Sequence, residues 1–168
     1  MSDAGKHTIR KTTAGVLALL LCSTGSWAQE QGHLNVRTVV QKEQVVINDD
    51  GDTETTLVPA DTVVPGEKVV VTTTFQNISG ESADNVVITN PISNELIYVD
   101  GSAFGPGTDI EFSVDGGQTF AAAADLTVTE DGVTRSADAN DFTHIRWVMR
   151  EELAAGAQGV ARFSAVLE

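Results

Sequence analysis

The chain has 168 residues, 24 of them acidic against 10 basic, and a formal net charge of −14 at pH 7. A surface that acidic repels nucleic-acid phosphates and anionic lipid, whose binding proteins neutralise charge with Lys and Arg, so nucleic-acid binding is excluded. A single cysteine rules out an intrachain disulfide framework, and the length suits one domain that buries enough surface to fold without it.

The N-terminus reads as an export signal. Lys6, Arg10 and Lys11 precede the mostly apolar run 14–22, and Ser26 and Ala28 supply small residues at the −3 and −1 positions of a cleavage site after Ala28. The run is too short to span a bilayer, which takes roughly 20 residues. Cys22 stands where a lipoprotein signal places its acylated cysteine, but Leu21 fills the preceding position, where that class has a small residue. Lipidation is therefore not expected. Cleavage leaves residues 29–168 without a cysteine. It removes Asp3, Lys6, Arg10 and Lys11, leaving 23 acidic against 7 basic residues, a net charge of −16. Solubility is the plainest meaning of that charge.

Along the mature part, β-branched runs alternate with turn residues. Residues 36–40 and 44–47 read as two strands. Asn48-Asp-Asp-Gly-Asp52 is a tight hairpin connection, since Asp-Gly suits turns with positive φ, and 53–58 returns as a strand ended by Pro59. After the Pro65-Gly66 turn, residues 69–76 set Val69, Val71 and Phe75 on one face and Thr72, Thr74 and Gln76 on the other. A polar loop, 77–84, leads to a strand at 86–89 stopped by Asn90-Pro91, then one at 96–99 ended by Asp100-Gly101. Residues 109–114 and 118–120 flank Asp115-Gly-Gly117, and 126–129 and 133–135 flank Asp131-Gly132, giving two further hairpins. Residues 142–149 gather Ile145, Trp147 and Met149 on one side, and 151–156 form a helical turn or a loop. The last strand, 160–167, holds Ala161, Phe163, Ala165 and Leu167 in phase. Short strands at this spacing, with no sustained helical periodicity and no internal repeat, predict a single all-β antiparallel sandwich.

Three segments carry a family likeness. They are Val64-Pro-Gly-Glu-Lys-Val-Val-Val-Thr72 running on to Phe75-Gln-Asn77; Asn85-Val-Val-Ile-Thr-Asn-Pro-Ile92 with Leu96-Ile-Tyr-Val-Asp-Gly-Ser102; and Ile145-Arg-Trp147 with Leu153-Ala-Ala-Gly-Ala157. In order and spacing, over about 105 residues, the chain resembles the bacterial conserved-repeat module known as domain of unknown function 11. Val71 stands where that family usually has tyrosine, Asn90 where it has aspartate and Ala155 where it has proline. The resemblance implies an Ig-like Greek-key sandwich acting as a spacer, adhesion or scaffold unit, with no known catalytic residues. It divides the chain into a signal (1–28), N-terminal strands and a hairpin leading into the sandwich (29–60), and the Ig-like sandwich (61–168).

A second likeness is local. Ser113-Val-Asp-Gly-Gly-Gln-Thr-Phe120 looks like the Asp-box of sialidases and other propellers, with Phe120 for the usual tryptophan. The pattern describes a hairpin in which the aspartate accepts backbone hydrogen bonds, glycine supplies the special φ and the aromatic tucks under. One copy in a mature part of 140 residues is too little for a propeller of roughly 40–45 residues per blade. The box is expected to be a turn.

Chemistry is sparse. After signal removal only His33 and His144 could activate a nucleophile, there is no Gly-x-Ser-x-Gly elbow, and Gly101-Ser102 falls in a post-strand turn. His33 sits near the new N-terminus, and His144 is expected at an exposed position opposite Ile145 and Trp147. Trp147, Tyr98 and a few phenylalanines are too few to line a sugar cleft and read as core. Asn48-Asp-Asp-Gly-Asp-Thr-Glu54 concentrates the oxygen ligands that calcium takes, without the EF-hand spacing. Asn77-Ile78-Ser79 fits the glycosylation triplet but reads as a turn. No catalytic, cofactor-binding or metal-binding residue is assigned, and no cofactor is expected. The sequence predicts a noncatalytic, exported structural or protein-interaction module of the cell envelope, periplasmic or extracellular, without a stable membrane anchor. Its expected partner is another envelope or surface protein, and a small-molecule ligand is not expected. The alternative is a calcium- or carbohydrate-binding module working through the acidic loop Asp49 to Asp52.

Overall fold

Runs of Val, Thr and Ile fit a pleated surface on which successive side chains point to opposite faces. In a computed structural model of the chain, which describes residues 33–48 and 50–168, these runs form ten strands. They are β1 (Leu34–Ile47), β2 (Thr53–Pro59), β3 (Lys68–Asn77), β4 (Val87–Pro91), β5 (Leu96–Tyr98), β6 (Thr108–Ser113), β7 (Thr127–Glu130), β8 (Val133–Ser136), β9 (His144–Met149) and β10 (Gln158–Leu167). The signal expected at 1–28 and Asp49 of the acidic loop lie outside the described residues.

A five-stranded sheet in the order β2-β1-β3-β10-β5 packs on a three-stranded sheet in the order β4-β9-β6, and β7 and β8 form a separate hairpin. Every pairing is antiparallel. The result is the expected all-β sandwich. Neither of the two larger sheets is a meander: β9 and β10, the last strands made, take central places in them.

Alternation decides what lies between the layers. β3 turns Val69, Val71 and Phe75 inward and β10 turns Ala161, Phe163 and Ala165 inward, against Ile88 of β4, Phe112 of β6 and Ile145 and Trp147 of β9. Ile145, Trp147 and Ala165 are 0% exposed. The rings interlock: Trp147 and Phe163 centroids are 6.3 Å apart, Tyr98 meets Phe112 edge-on at 5.0 Å, and Phe112 stacks on Phe142 at 4.5 Å. These are the separations at which aromatic pairs gain beyond burial alone. Between the inner faces, Asn90 Nδ2 donates to Thr73 Oγ1 at 2.9 Å, and Thr73 Oγ1 lies 2.8 Å from Thr38 Oγ1, so a short polar chain joins the layers.

Three local expectations need correction. The runs 36–40 and 44–47 are one strand of 14 residues. Gln41, Lys42 and Glu43 do not break it because the charged pair finds partners, Lys42 with Glu67 and Glu43 with Lys68. Asn90 and Pro91 belong to β4, paired with Ile145 and His144. Pro91 is tolerated there because β4 is an edge strand, and the next inward bond is made by Ile92 N–H to the Thr143 carbonyl at 2.8 Å. The return of the Asp115 turn is a single bridge, Phe112 with Ala121, rather than a strand. Of the two forms expected for residues 151–156, the structure has the loop, whose Leu153 is buried and bridges Ala83.

From Leu34 the segment 29–60 is continuous with the sandwich, since β1 pairs with β3 over nine residue pairs, Leu34 with Asn77 through Lys42 with Val69. β1 pairs with β2 from Gln41 with Pro59 through Ile47 with Thr53, and from Glu43 on, beyond the last β3 pair, the two form a two-stranded ribbon.

Two glycines mark close approach. Gly159 lies opposite Phe75, and a Cβ there would overlap the buried ring; a Cβ at Gly105 would overlap the Trp147 indole. Overpacking of this kind costs about 1–3 kcal/mol. Gly159→Ala is therefore expected to lower stability by about that amount in urea unfolding, while Gly80→Ala, with open space around it, stays within about 0.5 kcal/mol of the parent.

Candidate functional site

The polar groups that could bear chemistry are mostly held by the fold itself. Asp115 shows this most fully. Its carboxylate accepts from Thr119 Oγ1 at 2.6 Å, from the Thr119 amide at 2.9 Å, from Ser113 Oγ at 2.7 Å and from the Gln118 amide at 3.0 Å. The Thr119 hydroxyl and amide, then Ser113, hold its carboxyl well below the usual carboxylate range. Ser113 is fully buried and also accepts from the Gly117 amide at 2.9 Å. The Asp-box is a turn, as its sequence implies. Its aromatic does not tuck under: Phe120 lies beneath the Arg146 guanidinium, 4.2 Å from the ring centre, and Arg146 also pairs with Glu111.

Among the described residues no histidine ring nitrogen is hydrogen-bonded to a serine hydroxyl, although Ser113 lies opposite His144 in the β6–β9 register. His144 is half-buried rather than exposed, because the Asp115 turn shields it: its ring packs against Gly117, and its Nδ1 lies 3.2 Å from Thr143 Oγ1. His33 is exposed beside the 79–84 loop. Ser102 Oγ donates to the Ser164 carbonyl at 3.2 Å and accepts from the Ser164 amide at 3.0 Å, which fixes it against β10.

Asn77 is the polar residue on which two loops depend. Fully buried at the end of β3, its Nδ2 donates to the carbonyls of Glu81 at 2.7 Å and Leu153 at 2.8 Å, and its Oδ1 accepts from the Ser79 amide at 3.0 Å and hydroxyl at 2.7 Å. The glycosylation triplet is thus a structural turn, with the amide nitrogen sequestered. Sequence reasoning saw an asparagine at a strand end but not this role, because its partners at 81 and 153 are distant in the chain.

At the acidic hairpin, Asn48 Oδ1 accepts from the amides of Asp50 at 3.1 Å and Asp52 at 2.8 Å, so that oxygen serves the turn. Asp138 and Asp141 converge on a cation the chain supplies, Arg135, whose guanidinium donates to Asp141 at 2.6 and 2.9 Å. That pairing, followed by the Asp138 amide, holds the Asp141 carboxyl below its ordinary value. Among the described residues no group of three or more His, Cys, Asp or Glu side chains is placed to hold a metal ion.

What the fold leaves open is apolar surface and strand edges. On one face of the β1–β2 ribbon Val45, Ile47 and Leu57 are 65%, 75% and 40% exposed. A groove of about 430 Å³ runs between the inner face of β1 and the edge of β4, lined by Thr38, Val40, Val71, Asn90, Leu96 and Phe163 among others. No family model, curated protein or solved structure matches the chain.

Two consequences are measurable. Folded-state pKa values held low at Asp115 and Asp141 contribute stability that is present above the ordinary aspartate value, about 3.9, and is lost as pH falls through it towards the folded values. The urea midpoint is therefore expected to drop below about pH 4, and Asp115→Asn, which cannot titrate, to shallow that acid limb. Asn77→Ala orphans two carbonyls and is expected to cost about 2–4 kcal/mol in the same assay, with earlier proteolysis in loops 78–84 and 151–157.

Proposed function

We propose that this protein is a noncatalytic, exported structural or protein-interaction module of the bacterial cell envelope, working in the periplasm or outside the cell beside another envelope or surface protein. The observation that carries this reading is the contrast between its polar and apolar surface. Asp115, Ser113, Ser102, Asn77 and Asp141 are committed to turns and sheet closure. By contrast, the β1–β2 ribbon shows a row of apolar side chains to solvent. Exposed apolar rows beside free strand edges are what protein partners use.

The sequence supports the same reading from two sides. The basic, apolar and small-residue segments before Gln29 have the form of a secretory leader. The ordered turns from Asp61 onward resemble domain of unknown function 11, an envelope and surface module.

The reading predicts that purified protein turns over no ester, peptide or glycoside, and that a tagged copy expressed in its own host retains a stoichiometric envelope partner through a mild salt wash. Measured turnover of any of the three substrate classes, or a tagged protein recovered alone from the envelope fraction, overturns it.

A further inference from the structure

We infer that the free edge of β2, with the apolar row beside it, takes an extended segment of a partner protein that alternates apolar with basic residues; this rests on the interaction-module reading above. The hydrogen bonds fix which groups are available. Asn48 N–H donates to the Asp52 carbonyl at 2.9 Å and Ala60 N–H to the Val40 carbonyl at 3.2 Å. With the β1–β2 register, this makes Lys42/Val58, Gln44/Thr56 and Val46/Glu54 the bonded pairs. Thr53, Thr55 and Leu57 then aim their N–H and C=O groups away from β1, at the open edge. Their side chains share the face that carries Val45 and Ile47, since Thr55 lies opposite Val45 and Thr53 opposite Ile47.

Charge identifies the occupant. The two lysines beside the ribbon are engaged, Lys42 with Glu67 at 3.1 Å and Lys68 with Glu43 at 2.6 Å. Asp50, Asp52 and Glu54 have no ion-pair partner among the described residues. Glu54 lies on the β2 face opposite Thr55 and Leu57. On one face an added strand meets Thr53, Thr55 and Leu57 directly, with Val45 and Ile47 one strand further in, which favours β-branched apolar side chains there; on the other face it needs a Lys or Arg near Glu54. A second copy of this chain, at net charge −14, meets like charge here and is disfavoured. Charges on edge strands commonly block strand addition. A single acidic residue, with Pro59 closing one end, blocks an acidic chain while admitting a basic one.

The test uses labelled, end-blocked peptides of about seven residues, alternating Val with Lys, Val with Glu or Val with Ser, titrated against the purified protein by fluorescence anisotropy. Thr55→Pro removes one outward N–H and spares the bonds to β1; Glu54→Lys reverses the charge and leaves the backbone intact, so it serves if the proline variant fails to fold. The Val-Lys peptide is expected to bind tightest, to weaken with salt, to lose roughly tenfold or more in each variant, and to slow amide exchange at Thr55 and Leu57. Equal binding of the Val-Glu peptide, unchanged affinity in the variants, or a dimer of the protein alone that Thr55→Pro dissociates would overturn the inference. An envelope partner retained fully by both variants overturns this edge and leaves the module reading standing, whereas recovery of the protein without any partner removes both.

Discussion

The contact between Trp147 and Ile145 on one layer and Phe163 and Phe75 on the other is what makes two sheets into one domain. A sheet with one apolar face has to bury it against something, and here the burial is concentrated in β9 and β10, whose inward residues are almost free of solvent. The packing is close enough that Gly105 and Gly159 have no room for a side chain. One polar group is left over: the Trp147 indole N–H has no acceptor among the described protein atoms. The Tyr98 hydroxyl oxygen does have a partner, accepting from the Ala103 amide at 3.1 Å while its ring stays in the core.

Around this centre the polar residues divide into two groups. Those near the ends of the sandwich tie distant loops to the sheets, as Asn77 does with 81 and 153 and Ser102 does with Ser164. Those on the ribbon act at its two ends, Lys42 and Glu43 pairing with Glu67 and Lys68 and Asn48 holding the turn, while Val45, Ile47 and Leu57 between them stay exposed. Because β3 stops pairing with β1 at Lys42, the ribbon is a two-stranded element with no layer beneath it, a form of marginal stability by itself.

The strands were legible because period-two alternation is visible residue by residue: Val69, Val71 and Phe75, or Ile145 and Trp147, fall on the buried face that their spacing predicts. Turn chemistry was legible for the same local reason. Asp131 and Gly132 both have positive φ between β7 and β8, and Asp115 collects the amides that its motif implies. What the sequence hid was non-local. Gln41, Lys42 and Glu43 look like a break until Glu67 and Lys68 are brought alongside. Asn90-Pro91 looks like a stop until β4 is known to be an edge. Leu153 sits in a loop, and nothing in its local spacing tells that it is buried in the core. The turn at Asn77 was legible but its burial was not, and His144 was expected exposed; in both cases burial is set by segments dozens of residues away.

The placement of the last two strands has a consequence for how the domain comes into being. β1, β2 and β3 are sequential neighbours or nearly so and can zip together as they are made. The second layer has no middle until β9 exists, and β5 has no neighbour until β10 slides between it and β3. Long-range pairings of this sort are slow to close, and they leave bare edges waiting in the meantime. Order of synthesis and order of packing are thus opposed: the keystone is laid last, and a chain stopped short of it is an open sheet rather than a smaller domain.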